Sequence, residues 1–156
     1  MRMTRLLSAT ALIAALSFLS GCLSTPELRG IAVQLTDIRA QPLDQGGAEV
    51  SLTIRYLNEN LVAIAVSETE HRIWIDGMSL GRIESDQPVG LPQLGEASET
   101  LKLTVDASTV ARLRQLQANG SANYRLESRL LVMAAQDELK SNTSGTGTVD
   151  VSNLGL

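Results

Sequence analysis

Cysteine and histidine each occur once in this chain, as Cys22 and His71. A single cysteine excludes an intrachain disulfide, so the fold must hold through its core alone. A single histidine excludes the usual zinc sets. A triad built on His71 would need partners, and Glu68 and Glu70 are the carboxylates nearby in sequence. In an extended strand Glu70 points away from His71. His71 is therefore expected to be a packed or surface residue with no catalytic role. Aromatic residues make up only 3% of the chain, so a core must rely on Leu, Ile and Val. No G-x-S-x-G, P-loop or dinucleotide fingerprint occurs. The 17 acidic residues outnumber the 13 basic ones, for a net charge of −4. An acidic chain has no electrostatic reason to bind nucleic acid or anionic headgroups. The pairs Glu68/Glu70 and Asp137/Glu138 show no pocket pattern and read as solvated charge. The expectation is a protein without catalytic residues, metal or cofactor, and not an enzyme.

What the chain does have is alternation. Val50, Leu52, Ile54 and Tyr56 alternate with Ser51, Thr53 and Arg55, the period of a half-buried strand. Asn58-Glu59-Asn60 breaks the pattern with turn-forming residues. Val62, Ile64 and Val66 resume it, and Ile73 and Ile75 close it before Asp76-Gly77, a strong hairpin signal. The parity changes within this run: Val62, Ile64 and Val66 are even-numbered, whereas His71, Ile73 and Ile75 are odd. Both sets can face one core only if the strand bulges within Ser67–Glu70. With Ile73 and Ile75 inward, Trp74 and Arg72 face outward. An outward tryptophan is a candidate contact for a partner or a membrane interface; the alternative is partial cover by a neighbouring strand or an arginine stem.

Arg29–Ala40 reads as a first strand, followed by a turn at Pro42–Gly47. Leu80–Asp86 pairs back after the hairpin, Pro88–Ala97 is a loop, and Ala97–Asp106 is a strand with Leu101, Leu103 and Val105 inward. Ala107–Ala118 is predicted to be a helix, capped by Asp106 or Ser108 and ended by Asn119-Gly120. Val110, Leu113 and either Leu116 or Gln117 form its apolar side. Tyr124–Val132 is a strand, Asn142–Gly147 is polar and rich in Gly and Thr, and Val149 with Val151 suggests a last short strand. About seven strands with turn signals between them imply an all-β fold with one short helix. The expected architecture is an antiparallel β-sandwich of the immunoglobulin/fibronectin kind, its helix near Ala107–Ala118 capping one end.

The start of the chain has a different pattern. Arg2 and Arg5 precede an apolar or small-residue stretch, Leu6–Leu19, too short to span a membrane comfortably. Leu19-Ser20-Gly21-Cys22 follows. This resembles a bacterial lipoprotein signal, in which cleavage precedes a cysteine that is then acylated on sulfur and on its new amine. The alternative is an ordinary signal peptide with a chance cysteine. The resemblance implies a signal over residues 1–21, lipidation at Cys22 and a tether over 22–28; the strand pattern then reads as a domain over 29–152, with a loose end at 153–156. Two or more acyl chains anchor a protein stably at a membrane. Leu23, where aspartate would signal inner-membrane retention, implies the outer membrane with the domain facing the periplasm. Cys22 to Leu28 spans at most about 20 Å, so the domain stays near the bilayer.

The central run also resembles the late embryogenesis abundant type 2 family, whose core is the WHy (water stress and hypersensitive response) domain. That pattern is an alternating strand, an Asn-Pro-Asn turn, a second strand and a hairpin. Here these are Val50–Leu57, Asn58-Glu59-Asn60, Leu61–Ile75 and Asp76-Gly77, with Glu59 where the family usually has proline. The resemblance implies a non-enzymatic protein that protects proteins or envelope components in desiccation or other stress. The second reading is a protein- or lipid-binding accessory module in envelope assembly or transport. Partners on either reading are the membrane, through Cys22, and client or envelope proteins, with no nucleic acid.

Overall fold

A computed structural model describes residues 30–44, 46–134 and 137–156. Its strands are β1 (Ile31–Pro42), β2 (Ala48–Asn58), β3 (Ile64–Ile75), β4 (Met78–Ser85), β5 (Val89–Leu91), β6 (Glu96–Val105), β7 (Ser121–Ala134) and β8 (Asp137–Asp150), with helix α1 (Ala107–Gln117) between β6 and β7. One sheet has the order β1-β2-β6; the other runs β4-β3-β7-β8, with β5 also paired to β3. All pairings are antiparallel. Two such sheets face to face, with the chain passing repeatedly from one to the other, form the expected immunoglobulin/fibronectin-like sandwich. The Asn58–Ile64 segment is one of these passages, so the two strands of the central run lie in different sheets.

Alternation directs the inner faces. Val50, Leu52, Ile54 and Tyr56 are fully buried, as are Val66, Ile73 and Ile75. The change of parity in β3 is absorbed where two of its residues, Ser67 and Glu68, fall opposite one on β7: the register slips between Val66 and Glu68. The Ser67 hydroxyl donates to the Leu131 carbonyl at 3.2 Å. A similar slip at Thr36 lets β1 bury Ile31, Val33 and Leu35 before it and Ile38 and Ala40 after it. The hairpin at Asp76-Gly77 has positive φ at both residues, 42° and 75°, the requirement of a type I′ turn. Asp106 caps α1, its carboxylate accepting from the Thr109 N–H at 2.8 Å. Val110 and Leu113 are buried, with Leu116 packed beside them.

Several expectations need correction. Val89–Leu91, within the expected 88–97 loop, is a short strand that pairs with Ile64–Val66, so the described residues hold eight strands, in keeping with the about seven expected. Leu61 and Val62 belong to the turn and are exposed, and β3 begins only at Ile64. The polar 142–147 stretch is part of a 14-residue edge strand, β8, paired with β7 along its whole length. Its small residues have a steric cause: a Cβ on Gly145 would lie 2.1 Å from the Val33 carbonyl oxygen of β1. The end of the chain is not loose. Leu154 is fully buried and its carbonyl accepts from the Ala40 N–H at 2.6 Å. That bond ties the C-terminus to the first strand.

Candidate functional site

The Asn58-Glu59-Asn60 turn lies at the end of the sandwich where β1 begins, since Ile31 pairs with Asn58. Asn58 is buried and acts as a clamp. Its amide nitrogen donates to the carbonyls of Val62 (2.9 Å), Leu91 (3.3 Å) and Pro92 (2.8 Å). Its amide oxygen accepts from the backbone and side-chain nitrogens of Asn60, both at 2.9 Å. The Asn58 N–H donates to the Gly95 carbonyl, and the Leu94 N–H to the Asn60 carbonyl. One side chain thus joins the β2–β3 and β5–β6 connections into a single tip. Glu59, the middle residue, is exposed. Leu94 has φ of 49°. A leucine in the left-handed region carries strain on the order of 1–3 kcal/mol, and here hydrogen bonds on both sides hold it.

A second arrangement lies inside. His71 faces Ser128 directly across β3 and β7, and its Nδ1 is 2.7 Å from the Ser128 hydroxyl. Its Nε2 is 2.8 Å from the Tyr56 hydroxyl on the opposite sheet. Tyr56 in turn donates to Glu99 on β6, and Thr69 donates to the same carboxylate oxygen at 3.4 Å. One assignment satisfies every group: Ser128 O–H to Nδ1, Nε2–H to Tyr56, Tyr56 O–H to Glu99. His71 is fully buried and Ser128 nearly so. A serine, a histidine and a carboxylate thus share one network inside the core, with the Tyr56 hydroxyl standing between His71 and Glu99. Sequence reasoning missed Tyr56, Thr69, Glu99 and Ser128. The signal was present, because each is a polar or half-polar residue in the inward phase of its strand.

The network has a consequence in alkali. Burial, then the bond to the Glu99 carboxylate and its charge, push the Tyr56 hydroxyl far above its ordinary value of 10.0. The folded state therefore keeps the proton that the unfolded chain releases. Stability from this group is complete below pH 10 and falls as pH rises further, by about 1.4 kcal/mol at pH 11. Tyr56→Phe is expected to remove that decline; denaturant titrations of both proteins at pH 8 and pH 11 check it. On the acid side, burial raises the Glu99 carboxyl, but the nearby His71 and Tyr56 outweigh it and hold it below the ordinary range. Its stabilisation is present at neutral pH and is lost as pH falls through that lowered value.

Trp74 and Arg72 share the outer face of the larger sheet. Trp74 is half-buried, with the Arg125 guanidinium 4.1 Å from its ring centre, a cation–π contact. The neighbouring-arginine alternative thus describes its surroundings. Beside it Glu70 is not simply solvated: Arg72, Arg82 and Arg129 lie 3.5–3.7 Å from its carboxylate. An open groove of about 1020 Å³ runs over this face, lined among others by Glu68, Glu70, Glu84, Arg129, Glu138 and Lys140. With Asp86 the lining holds five carboxylates against two cations, Arg129 and Lys140, an acidic balance that disfavours an anion. Among the described residues no cluster of three or more His, Cys, Asp or Glu could hold a metal ion, and no helix is long and apolar enough to cross a membrane. Cys22 lies outside the described residues.

No protein-family model and no curated protein matches the chain. Its likeness is to solved structures. The solution structure of AT1g01470 from Arabidopsis thaliana shares 15% identity over 85% of this chain and 88% of that one, with a TM-score of 0.56. The X-ray structure of the structural-genomics target SoR45 shares 8% identity over 78% and 87%, with a TM-score of 0.51. The sandwich fold is common to these proteins. A solution structure described as a candidate late embryogenesis abundant protein shares 13% identity over 92% and 85%, at a TM-score of 0.46, too low to add to the fold comparison.

Proposed function

We propose that this protein is a non-enzymatic envelope lipoprotein, anchored through Cys22, whose sandwich makes many-sided polar contacts that protect membrane-proximal proteins under stress. The observation that carries the reading is where the chain enters the fold. A side chain at Gly30 would sit 3.7 Å from the Glu59 carboxylate, so a lipid on Cys22 tethers the Asn58–Asn60 end. The absence of catalysis rests on His71, whose two ring nitrogens both bond inside the core. The stress role rests on the resemblance of the central run to the WHy pattern, and the outer-membrane, periplasm-facing placement on Leu23. A second reading, an accessory module that docks an envelope protein, is favoured by one observation: Trp74 and Arg72 share the outer face of the larger sheet, where Arg72 lines an open groove with Glu127 and Arg129.

Cys22→Ser is expected to abolish incorporation of a fatty-acid analogue in cells; unchanged labelling would overturn the anchor. The anchored chain and one lacking Met1–Cys22 then separate the two roles. On the protective reading the soluble form shields a client enzyme in a drying assay but does not replace the anchored form in a deletion strain. Full rescue without protection in vitro would favour docking to a specific diffusible partner instead.

A further inference from the structure

Leu61, Val62 and Leu94 are 72%, 41% and 66% exposed. They are three of the five large apolar residues exposed among the described residues, and all three sit on the tip that Asn58 clamps. Leu43, 43% exposed, is at the other end of the sandwich, in the β1–β2 connection. Single exposed leucines are ordinary, but a cluster on one projection is a contact surface. The strain at Leu94 and the bond from its N–H to the Asn60 carbonyl hold the projection in shape.

The tether selects the occupant. Gly30 abuts Glu59 in the same tip, and the eight residues from Leu23 to Gly30 reach at most about 29 Å. Strands of 12–14 residues such as β1 and β7 make the sandwich roughly 40 Å long. An acyl-anchored Cys22 therefore brings this end, not the Leu43 end, to the bilayer. We infer that Leu61, Val62 and Leu94 insert into the lipid interface and hold the sandwich upright on the membrane with its grooved face turned outward. The inference rests on the lipid anchor proposed above. Insertion is apolar, since Glu59 and Glu96 beside the tip are acidic and gain nothing from anionic headgroups.

The test uses the full acylated chain in vesicles of phosphatidylethanolamine and phosphatidylglycerol. Acylated Cys22 offers no thiol, so a cysteine introduced as V62C, or as L43C for reference, takes an environment-sensitive dye alone. Nitroxide-bearing lipids are expected to quench the dye at position 62 several-fold more than at 43, equally at low and high salt. In the Val62-labelled chain, Leu61→Asn with Leu94→Gly should abolish the difference while the protein still floats with the vesicles. Glycine suits the φ at 94, so that variant keeps its fold. Equal quenching at both positions in a floating chain would overturn insertion and leave the anchor standing. A blue-shifted but unquenched tip would mean that a second copy or another protein covers it, which also overturns insertion. A chain without acyl groups overturns both readings.

Discussion

Asn58→Ala is expected to destabilise the folded domain by about 4–5 kcal/mol, near the upper limit for a single substitution. Asn58 is 3% exposed and serves five partners, three carbonyls through its nitrogen and two Asn60 nitrogens through its oxygen. Removing one partner from a buried hydrogen bond costs roughly 1–3 kcal/mol for the group left unsatisfied. Water entering the turn recovers part of this loss, so the costs do not sum in full. Asn58→Asp should be nearly as harmful, because a carboxylate cannot donate to three carbonyls and carries a buried charge. Glu59→Ala, one residue on and exposed, should change stability by less than about 0.5 kcal/mol. Urea denaturation of the chain lacking Met1–Cys22 measures all three. Equal losses at 58 and 59 would mean that the clamp is not what holds the tip.

Ile54→Ala is expected to cost roughly 2–5 kcal/mol, the range for emptying a packed isoleucine site. Ile54 is fully buried on β2, the central strand of its sheet. Thr53 points the other way, its hydroxyl 3.2 Å from that of Thr100 on the outer face. Thr53→Ala should cost well under about 1 kcal/mol. The contrast tests strand parity directly, since a shift of one residue would exchange the two positions. Denaturant midpoints that move equally for both variants would contradict the inward assignment of Val50, Leu52, Ile54 and Tyr56.

Where one face of a strand is buried, its pattern is legible. Val50–Tyr56, Leu101–Val105 and Tyr124–Val132 have their inner faces written in their alternation, and the parity conflict in β3 required a bulge within a four-residue window that contains the observed one. The helix and its Asp106 cap were legible for the same local reason. β8 was not, because an edge strand that lies against another backbone selects small residues such as Gly145, which carry no hydrophobic period. The packed C-terminus was hidden as well. Leu154 follows Ser152-Asn153 out of phase with Val149 and Val151, and its carbonyl bonds to Ala40 of β1, more than a hundred residues earlier in the chain.

The sequence by itself determined the all-β class, the inward residues of the central strands and the turn at Asn58–Asn60. Those properties are local: a two-residue period or a turn-forming run is readable within a few positions. Tertiary structure alone decided which polar residues meet. Tyr56, His71, Glu99 and Ser128 come from four strands in two sheets, and their pairing depends on registers that no single strand specifies. It also decided that Leu61, Val62 and Leu94 share one tip with the entry of the chain. Two distant loops come together there through one buried asparagine, and their proximity exists only once both sheets have formed.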